Sequence, residues 1–100
     1  MKIVVVCGAG ASSSFVAMRI RRTARDRGIE AEVVPTSESH LDRAAADSDV
    51  VLLGAHLAAH ADDIRARIAA AVVVLPESVF ADQSGDTALD LALDATGIRP

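Results

Sequence analysis

Eight consecutive residues carry the chemistry this sequence could do: Cys7, Gly8, Ala9, Gly10, Ala11, Ser12, Ser13 and Ser14. A thiol is followed by small residues that let main-chain N–H groups approach a ligand closely, and then by three hydroxyls. The run Lys2–Cys7 (KIVVVC) is nearly continuous in β-branched residues, and Ser12, Ser13 and Ser14 supply N-cap chemistry for a helix. A helix N-terminus offers unpaired N–H donors and a partial positive charge. Such a site fits a phosphate-sized anion, and its field favours thiolate over thiol at Cys7. A thiolate beside a phosphate cradle is what transfer through a phosphocysteine requires. A lone cysteine at a strand end more often serves as a small core hydrophobe. The glycines and serines that follow it turn the balance toward a nucleophile.

Three loop types compete for this stretch. The spacing Gly8, Gly10 approaches a dinucleotide fingerprint, but Ser13 stands at the third glycine position, and the second strand has Glu30 and Glu32 at its start, not its end. A Walker loop needs Gly-Lys-Ser/Thr, which is absent. A low-molecular-weight cysteine phosphatase, or an arsenate-reductase-like enzyme, wants an arginine six residues after the cysteine; that position is Ser13. Without a bidentate arginine clamp and a general acid, hydrolysis of a thiophosphate is slow. The loop suits a relay that holds a phosphoryl group until an acceptor arrives.

The elements that position this loop alternate. Apolar strands are expected at Lys2–Cys7, Ala31–Val34 (closed by Pro35), Val50–Leu53 and Ala71–Leu75 (stopped by Pro76). Between them lie a helix ended by Gly28 with Val16, Ala17, Ile20 and Ala24 inward, a short helix carrying Leu41, Ala44 and Ala45, and a helix with Leu57, Ala61, Ile64 and Ile68 on one face. A last helix is expected over Thr87–Thr96, with Leu89, Ala92 and Leu93 inward and Gly97 terminating it. Strands without polar alternation are buried on both faces. The expectation is therefore an α/β fold: a single doubly wound domain over residues 1–100, with a four-stranded parallel sheet in the order 2-1-3-4 and helices on both faces. In such folds ligands bind outside the carboxyl ends of the strands. That is where the Gly8–Ser14 loop falls.

Composition narrows the function classes. Apolar residues are 51% of 100, which excludes a disordered chain. No apolar run reaches the roughly 18 residues of a membrane span, and the sequence opens without a signal-peptide pattern. One cysteine excludes a disulfide framework within the chain. Two phenylalanines and a net charge of −4 make a poor nucleic-acid binder. The clustered arginines Arg19, Arg21, Arg22, Arg25 and Arg27 read as a solvated helix face, part of which can steer an acidic partner. His56 and His60 stand four apart, a spacing that could hold a metal on an α-helix, but no third ligand accompanies them. His56 also follows the third strand, at the same sheet edge as the loop.

The sequence resembles the enzyme IIB components of the bacterial sugar phosphotransferase system, of the lactose/cellobiose (also chitobiose) type. The resemblance rests on the opening KIVVVCGAGASSS, on Gly28–Val33 as a second strand, on Asp49–Gly54 as a third, and on the Phe80–Gly85 segment before the last helix. Ala11 and Phe80 depart from the bulkier Met or Val and the Tyr common there. The resemblance implies a cytoplasmic phosphotransferase, transiently associated with the membrane, that works without metal or cofactor. Cys7 would take the phosphoryl group from a phosphohistidine of the IIA protein. Gly8 through Ser14 would cradle it, mainly through main-chain N–H. The acceptor would be a sugar, a β-linked disaccharide such as cellobiose, chitobiose or lactose, held by the membrane permease IIC.

Overall fold

The structure, a computed structural model, describes residues 1–6, 10–81 and 84–97. Four parallel strands, β1 (Lys2–Val6), β2 (Glu32–Thr36), β3 (Val50–Leu53) and β4 (Ala71–Val74), form one sheet in the order β2-β1-β3-β4. This is the expected α/β architecture and strand order. Helices α1 (Gly10–Asp26), α2 (Leu41–Ala45), α3 (Ala61–Arg67), α4 (Ser78–Ala81) and α5 (Asp86–Thr96) complete it. Two 3₁₀ segments, Glu38–His40 and Ala55–His60, lead into α2 and α3.

Period-two alternation along the central strands splits the core between two layers. Ile3, Val5, Val50 and Leu52 point into a cluster closed by α1 and α5, through Val16, Ala17, Ile20, Leu89 and Leu93. Val4, Val6, Val51 and Leu53 point into the opposite cluster, closed by Leu41, Ala45, Leu57, Ala61 and Ile64. From Ile3 to Val6 and from Val50 to Leu53 the central strands are apolar at every position, because neither face meets water there.

α1 ends as its sequence asks. Gly28 adopts φ 71°, its N–H donates to the Arg25 carbonyl at 3.1 Å, and the Ile29 N–H donates to the Ala24 carbonyl at 2.8 Å. These paired bonds are a Schellman motif, which favours glycine at the left-handed position. Gly97 closes α5 with φ 72°.

Several boundaries differ from expectation. β2 runs through Pro35, which pairs with Val5, instead of stopping before it. β2 is an edge strand, and Pro35 lies at a position whose main-chain groups face away from β1, so its missing N–H costs no ladder bond. The segment after Pro76 is not all loop: Ser78–Ala81 makes one helical turn that drops Val79 into the core. The helix expected around Leu57–Ile68 is 3₁₀ over its first four residues, and Ile68 is already extended. β4 ends at Val74, with Leu75 fully buried beyond it.

The start of α5 is held by one stripe of α1. Residues 19, 23 and 27 lie four apart and share a face. Gly85 packs so closely on the Arg19 main chain that a Cβ there would stand 2.6 Å from its carbonyl oxygen. The buried Thr23 hydroxyl donates to the Ser84 carbonyl. The Arg27 guanidinium reaches Asp86 at 2.6 Å and Asp90 at 2.7 Å.

Candidate functional site

Because all four strands are parallel, their carboxyl ends share one edge of the sheet. β1 arrives there fully buried at Val6, whose carbonyl accepts the Gly54 N–H at 2.8 Å, joining the ends of β1 and β3. α1 leaves the same edge at Gly10, the 3₁₀ segment Glu38–His40 follows β2, and Ala55–His60 follows β3. Cys7, Gly8 and Ala9 lie between β1 and α1 in sequence and outside the described residues, as do the side chains of Ala11, Ser12 and Ser13.

The backbone of α1 alters the expected role of the serines. The helix begins at Gly10, so Ser12, Ser13 and Ser14 fall within its first turn and a half and do not cap it. A helix leaves its first N–H groups without intrahelical partners; here these belong to Gly10, Ala11 and Ser12. The Ser14 N–H enters the i→i−4 ladder toward Gly10, and its exposed side chain is left as its contribution at this edge.

The charge at this terminus is distinctive. α1 has 17 residues and none of its first-turn residues is acidic, whereas α5 carries Asp86 in its first turn. Acidic residues near a helix N-terminus offset its partial positive charge. No first-turn acid of its own offsets the partial positive charge at the start of α1.

Two features at or near this edge were not read from the sequence. The His60 Nδ1 lies 2.8 Å from Glu38 Oε2, tying the segment after β2 to the segment after β3 across the end of β1. Further along α1, Phe15 is 58% and Met18 44% exposed. They lie three apart on the side opposite Val16, Ala17 and Ile20, and that offset from the apolar face was the available signal. The four-residue spacing of His56 and His60, which could hold a metal on an α-helix, does not fall on one. Their backbone is 3₁₀, in which positions four apart do not share a face.

The arginine cluster divides. Arg21 donates to the Val33 carbonyl and Arg27 holds Asp86 and Asp90, so these two serve the fold. Arg22 and Arg25 are exposed beyond Phe15 and Met18. A groove of about 550 Å³ lies at the other end of the sheet between Met1, Arg25, Ile29 and Glu32. Its walls carry both signs of charge, and it is remote from the strand ends where ligands of such folds bind.

The fold is an open parallel α/β domain in which a long helix without a first-turn acid follows a central strand in sequence. The family model for the lactose/cellobiose-specific IIB subunit of the phosphotransferase system matches residues 2–91, and the chain belongs to that family. It is thus a component of a sugar phosphotransferase system. The lactose-specific IIB component domain from Streptococcus pneumoniae has the same fold, with a TM-score of 0.83 at 14% identity over 95% of this chain and 96% of that one. The cellobiose-specific phosphotransferase IIB component protein from Borrelia burgdorferi superimposes with a TM-score of 0.72 at 25% identity, over 97% of this chain and 92% of that one. No curated protein sequence matches this one.

Proposed function

We propose that this chain, acting as one domain over residues 1–100, is a cytoplasmic phosphoryl carrier whose nucleophile is Cys7. The thiolate attacks the phosphorus of a phosphohistidine on IIA; the N–P bond breaks, the S–P bond forms, and imidazole leaves. In the second step a hydroxyl of a sugar held by membrane IIC attacks the same phosphorus. The S–P bond breaks, thiolate is regenerated, and the hydroxyl proton passes to solvent or a base of the permease. Gly8 through Ser14 form the cradle, with the N–H groups of Gly10, Ala11 and Ser12 receiving the phosphoryl oxygens. The sugar is a β-linked disaccharide of the cellobiose, chitobiose or lactose kind.

The observation that carries this reading is the placement of the single cysteine in sequence, one residue after buried β1 and three before a long helix with no first-turn acid, in a chain of this family. No described helix is long and apolar enough to cross a membrane, in keeping with a separate permease that holds the sugar. The apolar pair Phe15 and Met18, with Arg22 and Arg25 beyond it, supplies a docking face for IIA.

Incubation with phosphorylated IIA, followed by peptide mass spectrometry, tests the assignment. One iodine-labile phosphoryl group is expected on the peptide bearing Cys7. A phosphoryl group on another residue, or rapid turnover of p-nitrophenyl phosphate, would move the function to a different site or to the phosphatase alternative.

A further inference from the structure

The two edges of the sheet are finished differently. In β2 the Glu32 N–H donates to the Met1 carbonyl at 2.8 Å. Alternate residues of a strand turn their main-chain groups to opposite sides, so Val33 and Pro35 face outward. That edge is closed to an incoming strand. Pro35 has no N–H to offer, and the Val33 carbonyl already accepts from Arg21.

In β4 the Ala71 N–H donates to Asp49 at 3.3 Å and the Leu75 N–H to Leu53 at 2.7 Å, which leaves Val72 and Val74 facing outward. This edge has no proline. Its four residues, Ala71–Val74, are apolar and half-buried. One outward group is covered: the Arg65 guanidinium donates to the Val72 carbonyl at 3.2 Å and reaches Asp62 at 3.3 Å. An apolar edge strand with free N–H groups is a template for another strand.

We propose that Arg65 guards β4 against a second copy of this chain, and that without the guard two β4 strands pair antiparallel about a two-fold axis. The run is self-complementary about Val73. Val72 of one copy would face Val74 of the other, each exchanging N–H and carbonyl with its partner. Half of those hydrogen bonds use a Val72 carbonyl, the group Arg65 occupies. Pairing would also set half-exposed valines against their own kind, a favourable cross-strand match. The chain therefore protects both edges with an arginine from the helix that packs beside each, and only β2 has a proline as well.

Sedimentation equilibrium of the full chain tests this with three proteins. Arg65→Ala should self-associate at least about tenfold more tightly than the wild type, a change of about 1.4 kcal/mol. The double variant Arg65→Ala, Val74→Pro should return to wild-type behaviour. Position 74 turns its N–H outward, so a proline there copies the Pro35 arrangement without breaking a bond to β3. An Arg65→Ala protein no more associated than the wild type would overturn the proposal. So would association that Val74→Pro leaves unchanged.

Discussion

The two halves of α1 are built for opposite purposes. From Arg19 to Arg27 the helix is anchored: Gly85 lies against its backbone, Thr23 holds Ser84, Arg27 holds Asp86 and Asp90, and Gly28 ends it in a Schellman motif. From Gly10 to Met18 it is presented: Ser14, Phe15 and Met18 are exposed, and no first-turn acid offsets the dipole. Free N–H donors can be offered at one end of a helix only if other contacts hold the helix in place. The anchored half does that, so substitutions at its contacts with Ser84, Gly85, Asp86 and Asp90 should cost stability, and those at the exposed Ser14, Phe15 and Met18 should cost transfer.

The sharpest break in that division is Gly85→Ala. The residue sits at φ 75°, and the new Cβ would stand 2.6 Å from the Arg19 carbonyl oxygen. Left-handed backbone and overpacking together should remove about 2–4 kcal/mol, lowering the melting temperature by on the order of 10 °C. Transfer per folded molecule should stay near wild type, as calorimetry and a transfer assay on the same sample would read. At the presented end the signature reverses. Phe15→Ser should raise the KM for phosphorylated IIA about tenfold while stability moves by less than about 0.5 kcal/mol. A Phe15→Ser protein that melts early but transfers normally would erase the distinction.

The smallest effect lies away from α1. The Lys2 ammonium meets Asp47 at 2.5 Å, which holds the Asp47 carboxyl below its ordinary 3.8 and the Lys2 ammonium above its ordinary 10.5, each chiefly through their mutual hydrogen bond. A lowered carboxyl stabilises the fold above its unfolded pKa, and that contribution is lost as pH falls through the lowered value. A raised ammonium stabilises below its unfolded pKa and is lost as pH rises through the raised value. Asp47→Ala should therefore lower the melting temperature slightly between about pH 5 and pH 9. The difference should close in stronger acid or base, and shrink with added salt because the pair is exposed.

Much of this molecule is legible in its sequence. Val50–Leu53 reads as a strand at both ends because it is wholly apolar and flanked by Asp49 and Gly54. The inward faces of α1 and α5 follow from spacing alone. Pro35 is misread because the rule that proline ends a strand assumes the N–H is needed, and which strand lies at an edge is a property of the whole sheet. The serines are misread as caps because capping chemistry and a helix's early turns favour the same small polar residues. Gly85 on Arg19 and Glu38 on His60 join distant parts of the chain, and no local pattern announces them. For the site itself, residue types and order point to the cysteine loop, while its charge setting emerges only when α1 is seen to begin at Gly10 without an acid.

The central claim is that one sulfur atom accepts the phosphoryl group. The most direct measurement compares wild type with Cys7→Ser for label received from radiophosphorylated IIA, with far-UV circular dichroism on both. The account predicts stoichiometric label on the wild type, none on Cys7→Ser, and identical spectra. Stable label on folded Cys7→Ser would contradict it.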